Sequence, residues 1–205
     1  MIEEKQGKGL IDAALEHGIE HFVYSSVDRG GARSIDNPTN VPHFKSKYNI
    51  EHHLLRKTEG TNMGWTILRP VAFMENFDGG FVGKIFATAW RNVIKSRPLQ
   101  LIATADIGSF AAKALLDPAS FDKKSISLAG DELTYKQLQT VYKEAKGPDV
   151  PTTFGILAKL VLWLSTEMGT MFHFFEREGY GADIEELRKI HPELQNLTAW
   201  LKNSK

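Results

Sequence analysis

Between residues 21 and 26 apolar and polar side chains alternate into a serine pair, His21-Phe22-Val23-Tyr24-Ser25-Ser26. That is the period-2 pattern of a strand whose end opens onto a site. A second run, Trp65-Thr66-Ile67-Leu68-Arg69-Pro70, reads as another strand and leads into Val71-Ala72-Phe73-Met74-Glu75-Asn76. Between them, residues 45–57 carry Ile50, Leu54 and Leu55 on one helical face, with Lys47 near the start; Gly60 and Asn62 break the helix. The two strand ends and Lys47 are expected to converge on one cleft.

The pattern continues as alternating helices and strands. Residues 8–17 place Leu10, Ile11, Ala14 and Leu15 on one stripe, with Gly18 where a helix C-cap belongs. Residues 27–42 have no periodicity and hold Gly30-Gly31, Asn37-Pro38 and Pro42; they predict a loop, of a length often tied to function. A helix is predicted over 81–95 and a short strand over 98–103. Asp106 is expected to cap a helix over 107–117, with Ile107, Phe110, Ala111, Ala114 and Leu115 inward. A strand over 125–129 and a turn at Gly130-Asp131 precede Thr134-Tyr135-Lys136-Gln137, a capping box opening a helix to residue 145. Residues 154–178 are mostly helical, and the tail gives short helices over 183–190 and 197–201 around His191-Pro192. This order predicts an α/β fold with parallel strands.

Composition narrows the partners. The 205 residues carry 25 basic and 25 acidic side chains, so no charge field favours nucleic acid or a membrane surface. With no cysteine, disulfides, thiolate metal sites and cysteine nucleophiles are excluded. Residues 1–5 are charged and lack an apolar signal core, and the longest greasy run, 154–164, is interrupted by Lys159 and too short to span a bilayer. The expected compartment is the cytoplasm or the nucleus. His52 and His53 splay apart on a helix, and His173 and His191 lack partners at ligand spacing, so no metal is expected. Asp78-Gly79-Gly80-Phe81-Val82-Gly83-Lys84 suggests a phosphate loop, but it follows no clear strand and lacks P-loop spacing; a turn entering a helix is the simpler reading.

Taken together, Phe22-Val23-Tyr24-Ser25-Ser26, His43-Phe44 to Lys47, Tyr48-Asn49-Ile50-Glu51, Thr66-Ile67-Leu68-Arg69-Pro70, Phe73-Met74-Glu75-Asn76, Asp106-Ile107-Gly108 with Ala111, and Ala182-Asp183-Ile184 to His191-Pro192 with Trp200-Leu201 resemble the NmrA-like family. This is a branch of the atypical short-chain dehydrogenase/reductases. The resemblance implies a Rossmann-like parallel sheet with a mostly helical C-terminal substrate lobe. Residues 1–205 then form a single NmrA-like domain, with 1–130 the C-terminal part of the Rossmann core and 131–205 the helical lobe. The family's opening strand and glycine-rich turn, which hold a pyrophosphate, have no counterpart here. Gly7-Lys8-Gly9 follows no strand. The chain is therefore expected to be N-terminally truncated relative to the family. The strand at 22–25 is then an open sheet edge, through which a protein partner or a second copy can pair.

The same resemblance implies NADP or NAD as cofactor, with binding in doubt for want of the glycine turn. Lys47 becomes a donor to a nicotinamide ribose, or a charge that lowers a neighbour's pKa; a solvated lysine beside Lys45 is the alternative. Carbonyl-reducing relatives carry Tyr-x-x-x-Lys, whose tyrosine donates the proton. Here His43 stands four residues before Lys47, either as a proton donor near neutrality or as a sign that no donor exists. Ser25, Ser26, Pro70, Val71 and Asn76 are the candidate contacts to the dinucleotide, against plain strand capping and turn formation. Glu75 reads as an acid or, more simply, a surface charge. Phe172, Phe174, Phe175 and Tyr180 either roof an apolar pocket or fill the core. Three functions remain open: a redox-sensing regulator or a remnant of one, an NAD(P)H-dependent oxidoreductase acting on a quinone or small carbonyl compound, and an interaction module without dinucleotide.

Overall fold

The structure, a computed structural model, describes residues 2–77 and 80–203. Helix α1 (Ile2–Glu16) ends at Gly18, whose positive φ of 67° fits a C-cap, and strand β1 (His21–Ser25) follows. Helix α2 (Pro42–Thr58) has Pro42 at its first turn, where the missing N–H is harmless. Strand β2 (Gly64–Pro70) pairs in parallel with β1, Ser25 opposite Leu68, and with β5 (Lys124–Leu128) on its other side. β1 is therefore an edge of this sheet.

A second small sheet sets β3 (Ala72–Phe73) parallel to β4 (Leu99–Ile102) and β4 antiparallel to β6 (Asp131–Leu133). Helices α3 (Gly80–Ala89), α4 (Thr104–Leu116), α5 (Pro118–Phe121), α6 (Tyr135–Lys146), α7 (Gly155–Leu164), α8 (Thr166–Arg177), α9 (Ile184–Ile190) and α10 (Leu197–Asn203) complete the described chain. α1 and α2 pack on one side of β1 and β2 through Ile11, Ile50, Leu54 and Ile67; Leu68, Val71, Phe110 and Leu128 form the core on the other side. A third, aromatic core around Phe86, Trp90, Tyr135 and Phe172 joins α3, α6 and α8.

The chain departs from its sequence pattern at several points. Asp106 caps nothing: α4 starts two residues earlier, and the buried Asp106 carboxylate accepts the Gln195 N–H at 3.0 Å and faces His191 Nε2 at 3.4 Å. It anchors the tail instead. The helix expected over 81–95 turns into a π-helix over Trp90–Ile94, a widening that keeps Trp90 buried. Gly130-Asp131 opens directly into β6, whose three residues are too few to show alternation. The loop before α2 contains a 3₁₀ turn, Gly31–Ile35. The Thr134 capping box is present with both of its hydrogen bonds. Asp78 and Gly79 of the candidate phosphate loop lie outside the described residues.

That loop is held by a buried charge cluster. Arg29 is fully buried and spends all five N–H donors: Nε on the Asn37 carbonyl, Nη1 on the Val27 carbonyl and Glu51 Oε1, Nη2 on the Ser34 carbonyl and Glu51 Oε2. Arg69 of β2 grips the same carboxylate, Nε to Oε1 at 3.2 Å and Nη2 to Oε2 at 2.8 Å. Ser26 Oγ donates to Glu51 Oε1 as well. Burial alone would raise the Glu51 carboxyl, but hydrogen bonds from Arg69 and Arg29 outweigh it and hold the group below its ordinary 4.5. Asp28, also buried, accepts N–H bonds from Gly30, Gly31 and Gly181. Gly31 at φ 63° lies so close to Gly181 that an added Cβ would sit 2.3 Å from its carbonyl oxygen, so only glycine serves there.

Glu51→Gln leaves two buried guanidinium groups without a counter-charge and is expected to cost about 3–5 kcal/mol in urea unfolding at neutral pH. Because the folded-state pKa of Glu51 is lowered, its contribution is complete above the ordinary value of 4.5 and is lost as pH falls through the folded value. The gap between wild type and variant should therefore close in acid; an unchanged midpoint at neutral pH would show that the cluster does not hold the fold.

Candidate functional site

The C-terminal ends of β1 and β2 lie side by side, because the Ser26 N–H donates to the Leu68 carbonyl and the Asp28 N–H to that of Pro70. α2 starts beside them and α8 closes the opposite side. Between these elements opens a cleft of about 490 Å³, within the range of small-molecule sites. Every candidate residue borders it: Ser25, Ser26, His43, Lys47, Pro70, Val71 and Asn76. The remaining wall is apolar, supplied chiefly by Phe44, Phe73, Phe86, Met168, Met171 and Phe175. Gly83 lets α3 approach the 76 turn, for a Cβ there would lie 2.6 Å from the Asn76 carbonyl oxygen.

Lys47 is the cationic side chain in this lining. Its ammonium donates to the Ser25 carbonyl at 3.0 Å, pairs with Glu3 at 2.9 Å and lies 5.4 Å from the centre of the Tyr24 ring. Two of its three N–H groups are thus directed, and one remains for a ligand. Burial would raise the Glu3 carboxyl, but hydrogen bonds from Lys47 and Ser46 hold it below its usual value, so it stays an anion.

His43 Nδ1 faces Glu167 Oε1 of α8, and the same oxygen accepts the His43 backbone N–H at 3.2 Å. Glu167 thereby caps the first turn of α2, where a carboxylate is favoured. Burial pushes the His43 imidazole below its ordinary value; Glu3 pulls it up and Lys47 pushes it down. Nδ1–H donates a hydrogen bond to the Glu167 carboxylate, which leaves Nε2 as the ring's other polar atom. Its Nδ1 is thus engaged by Glu167, and the lowered imidazole pKa makes His43 a less populated proton donor than a free histidine.

Tyrosine chemistry is displaced from Lys47. Among the described residues the Tyr24 hydroxyl has no hydrogen-bond partner, and burial, then Glu3 and Glu51, push it far above the usual range. Tyr180 borders the cleft, but desolvation and then Asp28 push its pKa well up too. Neither matches a tyrosine whose pKa a lysine lowers.

The candidates divide in detail. Ser25 is exposed, whereas Ser26 turns its hydroxyl to Glu51, so Ser26 belongs to the charge cluster. Glu75 is no surface acid: its Oε1 accepts the Thr104 N–H at 2.9 Å and hydroxyl at 2.6 Å, at the start of α4. Phe172 and Phe174 are core, while Phe175 and Tyr180 reach the cleft. Glu167 escaped the sequence reading because it lies 124 positions from His43, with no periodic signal linking them. Arg29 and Glu51 escaped it too, although a glutamate one position from the inward Ile50 was a readable cue. Among the described residues no three His, Asp or Glu side chains cluster as a metal site would need.

The sequence model of the NmrA-like family matches residues 2–201. Agroclavine dehydrogenase of Claviceps fusiformis is 28% identical over 153 residues, 69% of this chain and 46% of its own length. The chain thus spans about half the length of the curated relatives it matches. Among solved structures, NmrA, a negative transcriptional regulator, in complex with NAD superposes with a TM-score of 0.65 at 16% identity, over 98% of this chain and 69% of that one. Triphenylmethane reductase of Citrobacter sp. complexed with NADP(H) gives 0.69 at 16% identity, covering 98% and 70%. At such identities these structures establish the fold.

Glu167→Ala removes the cap of α2 and its link to α8, and is expected to lower stability by about 1–2 kcal/mol. Glu167→Gln keeps an acceptor oxygen and should recover most of that loss. Denaturant midpoints check this; equal loss in both variants would contradict the capping role.

Proposed function

The chain belongs to the NmrA-like family of NAD(P)-binding proteins, and we propose that its cleft receives the nicotinamide end of NAD or NADP and that the protein acts as a dinucleotide-responsive regulator. The support for the ligand is that the similar folds of NmrA and triphenylmethane reductase hold NAD, NADP or NADP(H). The residues fit that half of the molecule. Lys47 has an N–H left for a ribose hydroxyl, Ser25 offers an exposed hydroxyl, and Pro70, Val71 and Asn76 line the apolar side of a flat ring. When bound, the dinucleotide supplies a hydride-carrying ring; these side chains bind it, orient it and keep water away.

The phosphates are a different matter. The glycine pair after β1 cannot cradle them, since the N–H groups of Gly30 and Gly31 already bind the Asp28 carboxylate. Among the described residues no glycine-rich turn links a strand to a helix N-terminus. Phosphate contacts would come from a segment pairing with the open edge of β1, whether from a partner or from a second copy.

The observation that carries the regulatory role is that, among the described residues, no tyrosine with a lowered pKa stands beside Lys47. Burial lowers the His43 imidazole and Glu167 engages its Nδ1, while Tyr180, the tyrosine bordering the cleft, is a weaker acid than usual. Reduction of an ordinary carbonyl needs such a donor. A second reading, hydride transfer to a quinone or a similar flat acceptor, draws on the roof of Phe86, Met168, Met171 and Phe175 and does not require that tyrosine.

Isothermal titration with NADP+, NADPH, NAD+ and NADH tests the proposal. Binding with a preference for one redox form and no NADPH consumption beside a quinone is the expected result. Lys47→Ala should weaken binding about tenfold, the effect of losing one charge-assisted hydrogen bond. Quinone-dependent oxidation of NADPH would favour the second reading, and no binding by a folded sample would refute both.

A further inference from the structure

α7 is apolar around nearly its whole circumference, and a helix of that kind is normally buried. Here it is not. Its outward positions are Ile156, Lys159, Leu160, Trp163 and Leu164, the i, i+3, i+4, i+7, i+8 spacing of one helical face. Phe154 just before the helix is 83% exposed, Ile156 86%, Leu160 47%, Trp163 78% and Leu164 67%. Lys159 is the lone charge on this face. Among the described residues nothing covers it.

We propose that this face is a homodimer interface, formed by two copies of α7 packed antiparallel about a two-fold axis at Leu160. Three observations select a second copy as the occupant. The first is area. Taking about 200 Å² for each large apolar residue, the middle of the range for aromatic side chains, the five expose together on the order of 700 Å². Specific complexes bury about 800 Å² per partner, whereas a lone monomer seldom keeps so large a contiguous patch.

The second is shape. A groove of about 470 Å³ opens beside the C-terminal end of α7, lined by Val93, Leu162, Trp163, Thr166, Gly169 and Phe172 among others. Phe154 projects at the opposite end of the helix. An axis at Leu160 places Ile156 of one copy across from Leu164 of the other, four residues on either side, which brings Phe154 beside the last turn of its neighbour's α7, where the groove opens. Each Phe154 then enters its neighbour's groove, as an isologous interface requires. Antiparallel packing also sets each helix N-terminus against a C-terminus, the favourable arrangement of the two dipoles.

The third is charge. With 25 basic and 25 acidic residues the chain has no net charge to keep two copies apart. The same balance disfavours a bilayer surface, because interfacial helices rely on several basic residues and this face has only Lys159.

Sedimentation analysis of the purified chain across the micromolar range should show a mass approaching twice that of one chain. Leu160→Glu, which sets two carboxylates against each other at the axis, should weaken association about 30-fold or more, the loss of a central contact. An equimolar mixture of Leu160→Glu and Leu160→Lys should restore the dimer, since each Leu160 faces its own copy. Should Leu160→Glu fail to fold, Ile156→Gln at the most exposed position serves in its place. The proposal is overturned by a chain that stays monomeric throughout. It is equally overturned by a dimer that persists in these variants, as pairing through β1 would, or by a monomer that uses this face to bind phosphatidylcholine vesicles.

Discussion

The carboxylate of Glu51 is the point on which the architecture converges. It comes from α2, yet it is gripped by Arg29 from the loop after β1 and by Arg69 from the end of β2, with the Ser26 hydroxyl alongside. Such a cluster adds little net stability over a well-packed apolar core, but its geometry is demanding. All five N–H groups of Arg29 are matched, three by backbone carbonyls of the loop and two by the Glu51 carboxylate oxygens. A residue out of place would leave a buried charge unpaired, which costs several kcal/mol. The loop is thereby given one conformation.

What the cluster positions is the cleft. With the loop held, α2 starts at Pro42, and this puts His43 and Lys47 one helical turn apart along the mouth of the β1–β2 pair. Lys47 is then oriented by Glu3 and the Ser25 carbonyl, and His43 by Glu167. Glu3 and Glu167, which secure these side chains from behind, do not themselves line the cleft. α8 plays two parts. It lends Glu167 to the N-terminus of α2 and gives Met168, Met171 and Phe175 to the apolar roof, so the helical layer and the sheet share one cavity wall.

The proton inventory of the cleft follows from the same packing. Burial lowers the imidazole and raises the two tyrosines, in each case favouring the neutral form. The charges that persist, Lys47 and Glu3, do so as a pair. A site so arranged holds and orients a ligand more readily than it delivers a proton, and its apolar roof accepts a flat ring.

The periodicity of 21–26 and 65–70 and the stripe on α2 sufficed to bring Ser25, His43, Lys47, Pro70, Val71 and Asn76 to one place, because a parallel βαβ unit permits hardly any other arrangement. The Thr134 capping box was legible for a similar reason: its bonds run between residues three apart. Contacts between distant positions were not legible. Glu167 reaches His43, Asp106 holds the tail, and Glu75 caps α4 instead of serving as a surface charge; none leaves a local signature. Nor could hydrophobicity tell that the apolar α7 would lie on the outside. By itself the sequence determined the elements and the βαβ frame, since both rest on local spacing. Only the tertiary structure decided which buried charges pair, which hydroxyls face the cleft and which apolar face stays uncovered, because those depend on groups that meet across the chain.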